Sequence, residues 1–378
     1  MKHSVLKKVL LTIAAIVVVL VAAAVIVWHG EIATIRTVRS VDGNKYLYTM
    51  EYKAAYDLDA VIEADIDSNS GLLNFIVGRL AKGLPVKIER SGKEAGQFNC
   101  TSFQAKNAGG EGYLYGRNYD FFKNPTMVTV SHLKKGYASV AVSDMSHFGY
   151  GLEKLPSSFV SKALCLASIY APVDGINEKG LCTSIMALPK QPARQDSGNH
   201  KVGTTIIMRL FLDRCATVDE ALELLSGVDV CHDLKAGSGY HYMVADASGD
   251  CAVIEFDRED GWKTMVVRKG EGENSMLVTN HLLSPKYYTE TPDEYVGNPH
   301  SRSWWRYGTA GAYLKERNGA LSIGEAQECL SLVHWKDLVW DNGMVEDTQY
   351  SCVYDQKDIK LYIRDWSDWD TTHQFPLR

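Results

Sequence analysis

A thiol, a guanidinium and a carboxylate lie within one short stretch of this sequence, at Cys100, Arg117 and Asp120, with turn-forming residues between the first two. A cysteine attacks as its thiolate, and an adjacent cation lowers the thiol pKa and raises the thiolate fraction at neutral pH. A nearby carboxylate can orient an amine or hold the arginine. Acyl transfer through a cysteine is the chemistry that suits these three groups. Their types and spacing do not require it. One cysteine among eight is more often a buried apolar filler, and an Arg–Asp pair three residues apart is more often a surface ion pair of little energetic consequence.

The elements that must position these groups are strands. Cys100 to Lys106 alternates, Asn107-Ala108-Gly109-Gly110 is turn chemistry, and Tyr113 to Arg117 returns, a β-hairpin pattern. With the turn centred between Ala108 and Gly109, Cys100 falls opposite Arg117 and Asp120 lies just past the strand end. Met127 to Val130 with Ala138 to Val142 forms a second pair. Tyr240 to Asp246 and Cys251 to Phe256 form a hairpin across Ser248-Gly249-Asp250, and Tyr350 to Tyr354 and Ile359 to Ile363 form another. Helices are expected over Thr204 to Leu212, after the capping box Thr217 to Glu220, and after Ser322 to Glu325. Many strands with segregated helices predict an α+β layered domain.

Ahead of Cys100 the composition differs. Val9 to Trp28 is free of charge and follows Lys2, Lys7 and Lys8. Its length matches the roughly 30 Å hydrocarbon core of a bilayer, and the lysines favour a cytoplasmic N-terminus with the remainder outside the cell. A single-pass anchor is the expectation. The alternative is a signal peptide cleaved near Ala22-Ala23-Ala24, which would leave the protein secreted. Residues 29–99 read as a separate piece, with a strand-like stretch from Tyr46 to Tyr52, a short helix from Leu72 to Ala81 and an exposed polar linker from Glu89 to Gln97.

Composition removes several classes. The net charge of −6 is spread without a basic block, so no nucleic-acid partner is expected. No HExxH and no Cys/His spacing suited to a metal occurs, so neither a metal nor a cofactor is expected. The eight cysteines form no CxxC and no compact framework, although an exported body would permit disulfides.

Asn99-Cys100-Thr101-Ser102-Phe103, followed by Gly116-Arg117-Asn118-Tyr119-Asp120-Phe121, resembles the start of the mature chain in the choloylglycine hydrolase and penicillin V acylase family of N-terminal nucleophile hydrolases. Asn177 to Leu181, Tyr242 to Gly249, Val278-Thr279-Asn280, Ser303 to Tyr307 and Thr348 to Arg364 resemble later segments of that family in the same order. Together they span about 70% of the 378 residues. The resemblance implies an αββα four-layer sandwich and hydrolysis of linear amide C–N bonds. It also implies self-cleavage between Asn99 and Cys100, after which the freed α-amino group is the base that activates the Cys100 thiol. An α-amino pKa near 8 suits that task. Asp120 would then hold the amino group and Arg117 would sit beside the thiolate. Asn280 would donate to the oxyanion, a kind of contact worth about 3 kcal/mol, and Arg306 would complete the network, with Arg302 as the alternative arginine.

This chain departs from the family pattern in three places. Ala187 stands near the position where bile-salt hydrolases carry asparagine and penicillin V acylases tyrosine, which leaves one oxyanion donor unassigned. The long piece before Cys100 resembles instead the small subunit of acid ceramidase, N-acylethanolamine amidase and acyl-coenzyme A:6-aminopenicillanate acyltransferase relatives. That piece also carries the membrane segment. The expected division is an anchor (1–28), a pro-segment or small subunit (29–99) and a catalytic domain (100–378). The expected substrate is an N-acyl amide with an apolar acyl chain. Acyl transfer to an amine, an inactive anchored binding protein and a homo-oligomer all stay open.

Overall fold

The computed structural model describes residues 2–83, 99–133, 135–189, 191–288, 301–339, 343 and 345–377. The linker expected from Glu89 to Gln97 lies outside them.

Two sheets stack face to face. One has nine strands in the order Arg39–Ser40, Leu47–Tyr52, Thr126–Ser131, Ser139–Asp144, Asp174–Asn177, Cys182–Pro189, Ser238–Ala245, Cys251–Asp257 and Lys263–Arg268. The other runs Ser275–Val278, Asn99–Asn107, Tyr113–Phe121, Val345–Asp355, Lys360–Asp365 and Asp368–Pro376. Two short strands, Ala320–Leu321 and Leu338–Val339, extend the second sheet beside Asn99–Asn107 and Val345–Asp355. Side-chain alternation sends Ser102, Gln104, Tyr115 and Arg117 into the space between the sheets. There Ser184 Oγ bonds to the hydroxyls of Ser102 (2.9 Å) and Tyr115 (2.5 Å).

The opposite faces are covered by helices. Thr204–Arg214 covers the nine-stranded sheet and is stapled to it by Asn177, whose Nδ2 donates to Leu212 O (3.0 Å) and Cys215 O (2.7 Å). Asn177 Oδ1 meanwhile accepts from the N–H groups of Lys179 and Leu181, closing the Asn-Glu-Lys-Gly-Leu turn. That motif is therefore scaffold. Ser301–Glu316 and Ile323–Ser331 cover the other sheet over Phe103, Leu114, Leu314, Leu330 and Val353. The far end of the Phe103 ring lies against Gly116, where a Cβ would come within 2.3 Å of it. The glycine of the Gly-Arg-Asn-Tyr-Asp segment thus makes room for a fully buried aromatic worth about 2–3 kcal/mol of burial.

The strands and helices expected from the pattern form within a few residues of their expected ends. Ser322–Glu325 is a complete capping box. Thr217–Glu220 is half of one: Thr217 Oγ1 accepts from Glu220 N (3.2 Å), while Glu220 Oε2 takes the N–H of Ala216 (2.5 Å). Helix Lys2–Val27 is long and apolar enough to cross a membrane, and nothing in Leu10–Val27 is buried. Trp28 Nε1 then donates to Leu80 O (2.8 Å) and Lys82 pairs with Glu31 (2.8 Å), tying the helix end to the body. The stretch after it is built into that body. Leu47–Tyr52 pairs in parallel with Thr126–Ser131, Tyr56 OH donates to Asp213 (2.5 Å), and Arg194 bridges Asp67 (2.8 Å).

Candidate active site

Cys100 lies on the second strand of its sheet, and the pairing that surrounds it is shifted from the expected one. Asn107 N–H donates to Gly112 O (2.9 Å), Asn107 Oδ1 accepts from Gly109 N (2.9 Å), and Gly112 takes a φ of +79°. The loop is therefore centred one position later, so Cys100 pairs with Tyr119 and Ser102 with Arg117. The correction leaves parity unchanged. Cys100 and Arg117 stay on one face but become diagonal rather than directly opposite neighbours, whereas Asp120 is of opposite parity and faces the helix layer.

On the inter-sheet side the Cys100 thiol is fully buried and lies 3.7 Å from Ile185 O. Arg117 Nη2 donates to that same carbonyl (2.8 Å) and Nη1 reaches Ser102 Oγ (3.4 Å). Arg117 Nε is 3.5 Å from Asp174 Oδ2, and both side chains are fully buried. Asp174 also accepts the hydroxyls of Tyr350 and Tyr354. Burial pushes the Asp174 carboxyl above its ordinary range and Arg117 pulls it back.

The backbone of Cys100 is gripped from the other side. Its N–H donates to Asn280 Oδ1 (2.6 Å), and its carbonyl accepts from Arg306 Nη1. Arg306 also reaches Thr101 Oγ1 (3.0 Å), Asn280 Oδ1 (2.7 Å) and Asn99 Oδ1 (3.3 Å), with Asp120 Oδ2 at 3.7 Å. Asp120 Oδ1 accepts from Thr348 (2.5 Å), while its Oδ2 is buried with no hydrogen-bond partner among the described residues. Helix Ser301–Glu316 decides between the two arginines. Arg302, one turn earlier, sits over the Trp335 ring at 5.4 Å, and Arg306 is the one at Cys100.

Asn280 is held by its neighbours. Its N–H donates to Ser303 Oγ (2.8 Å), and His241 Nε2 bonds the preceding carbonyl of Thr279 (2.8 Å). Glu255, 3.3 Å from the other ring nitrogen of His241, accepts from Leu283 N and Ser284 N. Asn280 Nδ2 is committed to Ala187 O (2.8 Å). That bond uses one of the two N–H donors of the amide.

The thiol differs from the sequence expectation. In the intact chain burial pushes its pKa up to about 12, against the opposing pull of Arg117 and Arg306. Desolvation of a fully enclosed thiolate outweighs the cations beside it. Burial likewise raises the Asp120 carboxyl, with Arg306 opposing, and lowers Arg306 from its ordinary range.

All five nominated residues, Cys100, Arg117, Asp120, Asn280 and Arg306, thus converge. Asp174, Thr348, Glu346, Ser303 and the His241–Glu255 pair were not nominated. The signal they left was a polar residue inside a strand-like run, as with His241 between two tyrosines and Glu255 between Ile254 and Phe256. That signal does not distinguish a site from a solvated face.

A family model described as acyl-coenzyme A:6-aminopenicillanic acid acyl-transferase matches residues 107–364. The chain belongs to this acyl-transferase family. The match begins beyond Cys100, so it covers Arg117, Asp120, Asn280 and Arg306 but not the cysteine. No curated protein matches this acyl-transferase family member in sequence. Among solved structures it is similar to an arginine-to-leucine variant of conjugated bile acid hydrolase from Clostridium perfringens, with TM-score 0.53, 16% identity, and coverage of 74% of this chain and 92% of that one. A cysteine-to-alanine mutant of the same hydrolase gives TM-score 0.51 at 16% identity, covering 73% and 92%. The αββα N-terminal nucleophile hydrolase sandwich expected from the sequence is the observed fold.

Proposed function

We propose that the chain cuts itself between Asn99 and Cys100 and then cleaves linear amide C–N bonds of an N-acyl substrate through an acyl-cysteine on Cys100. The observation that carries this reading is Asp120 Oδ2, a buried carboxylate oxygen without a hydrogen-bond partner among the described residues. Asp120 is paired across the ladder with Asn99, beside the peptide nitrogen of Cys100. A buried acceptor left unsatisfied costs about 1–3 kcal/mol. The ammonium that the cut creates at Cys100 would satisfy it, together with Asn280 Oδ1, which already accepts from that nitrogen at 2.6 Å.

Once free, the amino group takes the thiol proton, and Arg117 on the sulfur side favours the thiolate. Sulfur attacks the substrate carbonyl and the amine leaves with a proton from the Cys100 ammonium. Water then releases the acyl group. Acyl transfer to an amine instead of water is the second reading, favoured by the family's own description. In this reading residues 29–99 stay bound as a small subunit, held by the strand Leu47–Tyr52 and by Asn44 on Asp365 (3.1 Å). The helix Lys2–Val27 is retained as the anchor, with the catalytic domain outside the cell.

Intact-mass measurement of the purified full chain tests the cut: pieces of 99 and 279 residues are expected. An active preparation containing only the uncut chain would defeat the mechanism. Alkylation at pH 7 gives a second check. Cys100 is expected to be modified in the 279-residue piece and protected in uncut molecules, since burial holds the thiol protonated until the new amino group appears. Equal labelling of Cys100 in both forms would remove the argument for activation by the cut.

A further inference from the structure

We infer that Glu346 selects the residue at the cut and, through it, the class of acyl group the enzyme accepts; this rests on the self-cleavage reading above. Asn99 contributes the acyl half of the bond to be broken. Its side-chain Nδ2 lies 2.8 and 3.1 Å from the two carboxylate oxygens of Glu346, and its Oδ1 accepts from Arg306 Nη2 at 3.3 Å. Glu346 is 3% exposed, on strand Val345–Asp355. A buried carboxylate needs donors, and here a carboxamide supplies one while presenting its oxygen to a cation. The subsite therefore reads both ends of the amide. An aspartate at 99 would set two carboxylates against each other, and a leucine would offer neither group. Glu346 touches the side chain of the acyl residue and not the reacting atoms, so it is a positioning residue for the cut.

In the cut, Cys100 Sγ bonds to the carbonyl carbon of Asn99 as that carbon's bond to the Cys100 nitrogen breaks. The electron pair goes to the nitrogen, which takes the thiol proton. Water then adds to the thioester, releasing the Asn99 carboxylate and restoring the thiol. Every later acyl group must present its carbonyl to the same sulfur from the same side. Once the cut frees the new end at Asn99 to withdraw, with its piece still held through Leu47–Tyr52, a short branch beyond that carbonyl falls between Glu346 and Arg306, where the Asn99 carboxamide was. The substrate class narrows accordingly to N-acyl amides whose acyl group carries a carboxamide close to the scissile carbonyl, rather than a wholly apolar chain.

The test follows cutting of the full chain in detergent by mass and gel for wild type, Glu346→Gln, Glu346→Ala, Asn99→Asp and the double variant Asn99→Asp/Glu346→Gln. Loss of one charge-assisted hydrogen bond in a buried site predicts cutting about tenfold to hundredfold slower for each single variant. The double variant is expected to recover at least part of that loss, because a glutamine can donate to the new carboxylate. Recovery also separates gripping from misfolding. A wild type that cuts while all four variants cut within about twofold of it overturns the proposal; a wild type that never cuts overturns the self-cleavage reading and this proposal with it. Mature wild type is then given succinamoyl and isocaproyl anilides, which differ by a carboxamide against an isopropyl group. A kcat/KM preference of about tenfold or more for succinamoyl, lost in matured Glu346→Ala, is expected. Equal rates, or isocaproyl turning over faster, overturn the substrate assignment while leaving the cutting result to stand.

Discussion

Cys100→Ala is expected to yield a single 378-residue chain that neither cuts itself nor turns over an N-acyl amide. One sulfur serves both events in the proposed mechanism, so both are lost together. Removal of a nucleophile costs on the order of 10⁴-fold or more in kcat. The fold is expected to survive, because the thiol makes only long polar contacts among the described residues, such as the 3.7 Å approach to Ile185 O. Truncating a buried side chain by one atom leaves a small cavity, costing about 1 kcal/mol. Intact mass, a kinetic assay and a thermal melt of the variant together check this. A variant that still yields pieces of 99 and 279 residues would show that another group makes the cut.

The second large effect is expected at Asp174, which the sequence did not advertise. Asp174→Ala removes the carboxylate 3.5 Å from Arg117 Nε and strips two buried tyrosine hydroxyls of their acceptor. A fully buried guanidinium left without its counter-charge costs about 3–5 kcal/mol. Asp174→Asn keeps an acceptor for the tyrosines and is expected to cost less in stability while still loosening Arg117. In the matured enzyme this should appear in kcat more than in KM, because Arg117 acts on the sulfur side. Denaturation midpoints measured on the uncut Cys100→Ala background keep the comparison to one species. A loss below about 1 kcal/mol for Asp174→Ala would mean that Arg117 does not depend on this carboxylate.

How much of the site was legible depended on where each residue's partners lie in the chain. Cys100, Arg117 and Asp120 belong to one hairpin, so strand alternation alone brought them to one end of it. The error there was one position in the turn. Gly109-Gly110 offers two centres, and the choice is made by the Asn107 side chain binding Gly109 N. Asn280 and Arg306 are distant in sequence, and only the ordered family resemblance nominated them. Arg302 and Arg306 lie on successive turns of a helix, so residue type could not separate them; the register of that helix against Cys100 did. Asp174 and Glu346 left no distinguishing mark, because a carboxylate in a strand reads the same whether it faces water or a buried cation.

The sequence by itself determined the alternation of strands and helices, the apolar N-terminal helix, the layered α+β class and the identity of the nucleophile candidate. These follow from local periodicity, turn chemistry and motif order, which are properties of neighbouring residues. Tertiary structure alone decided the protonation and the grip. Stacking of the two sheets encloses the Cys100 sulfur completely and pushes its pKa up to about 12 despite Arg117 and Arg306. The sequence shows a thiol next to cations but carries no measure of the water excluded around it. The same stacking brings Asp174 to Arg117, and pairing within the second sheet brings Glu346 to Asn99. Burial and long-range pairing set these contacts, and neither is encoded in the spacing of residues along the chain.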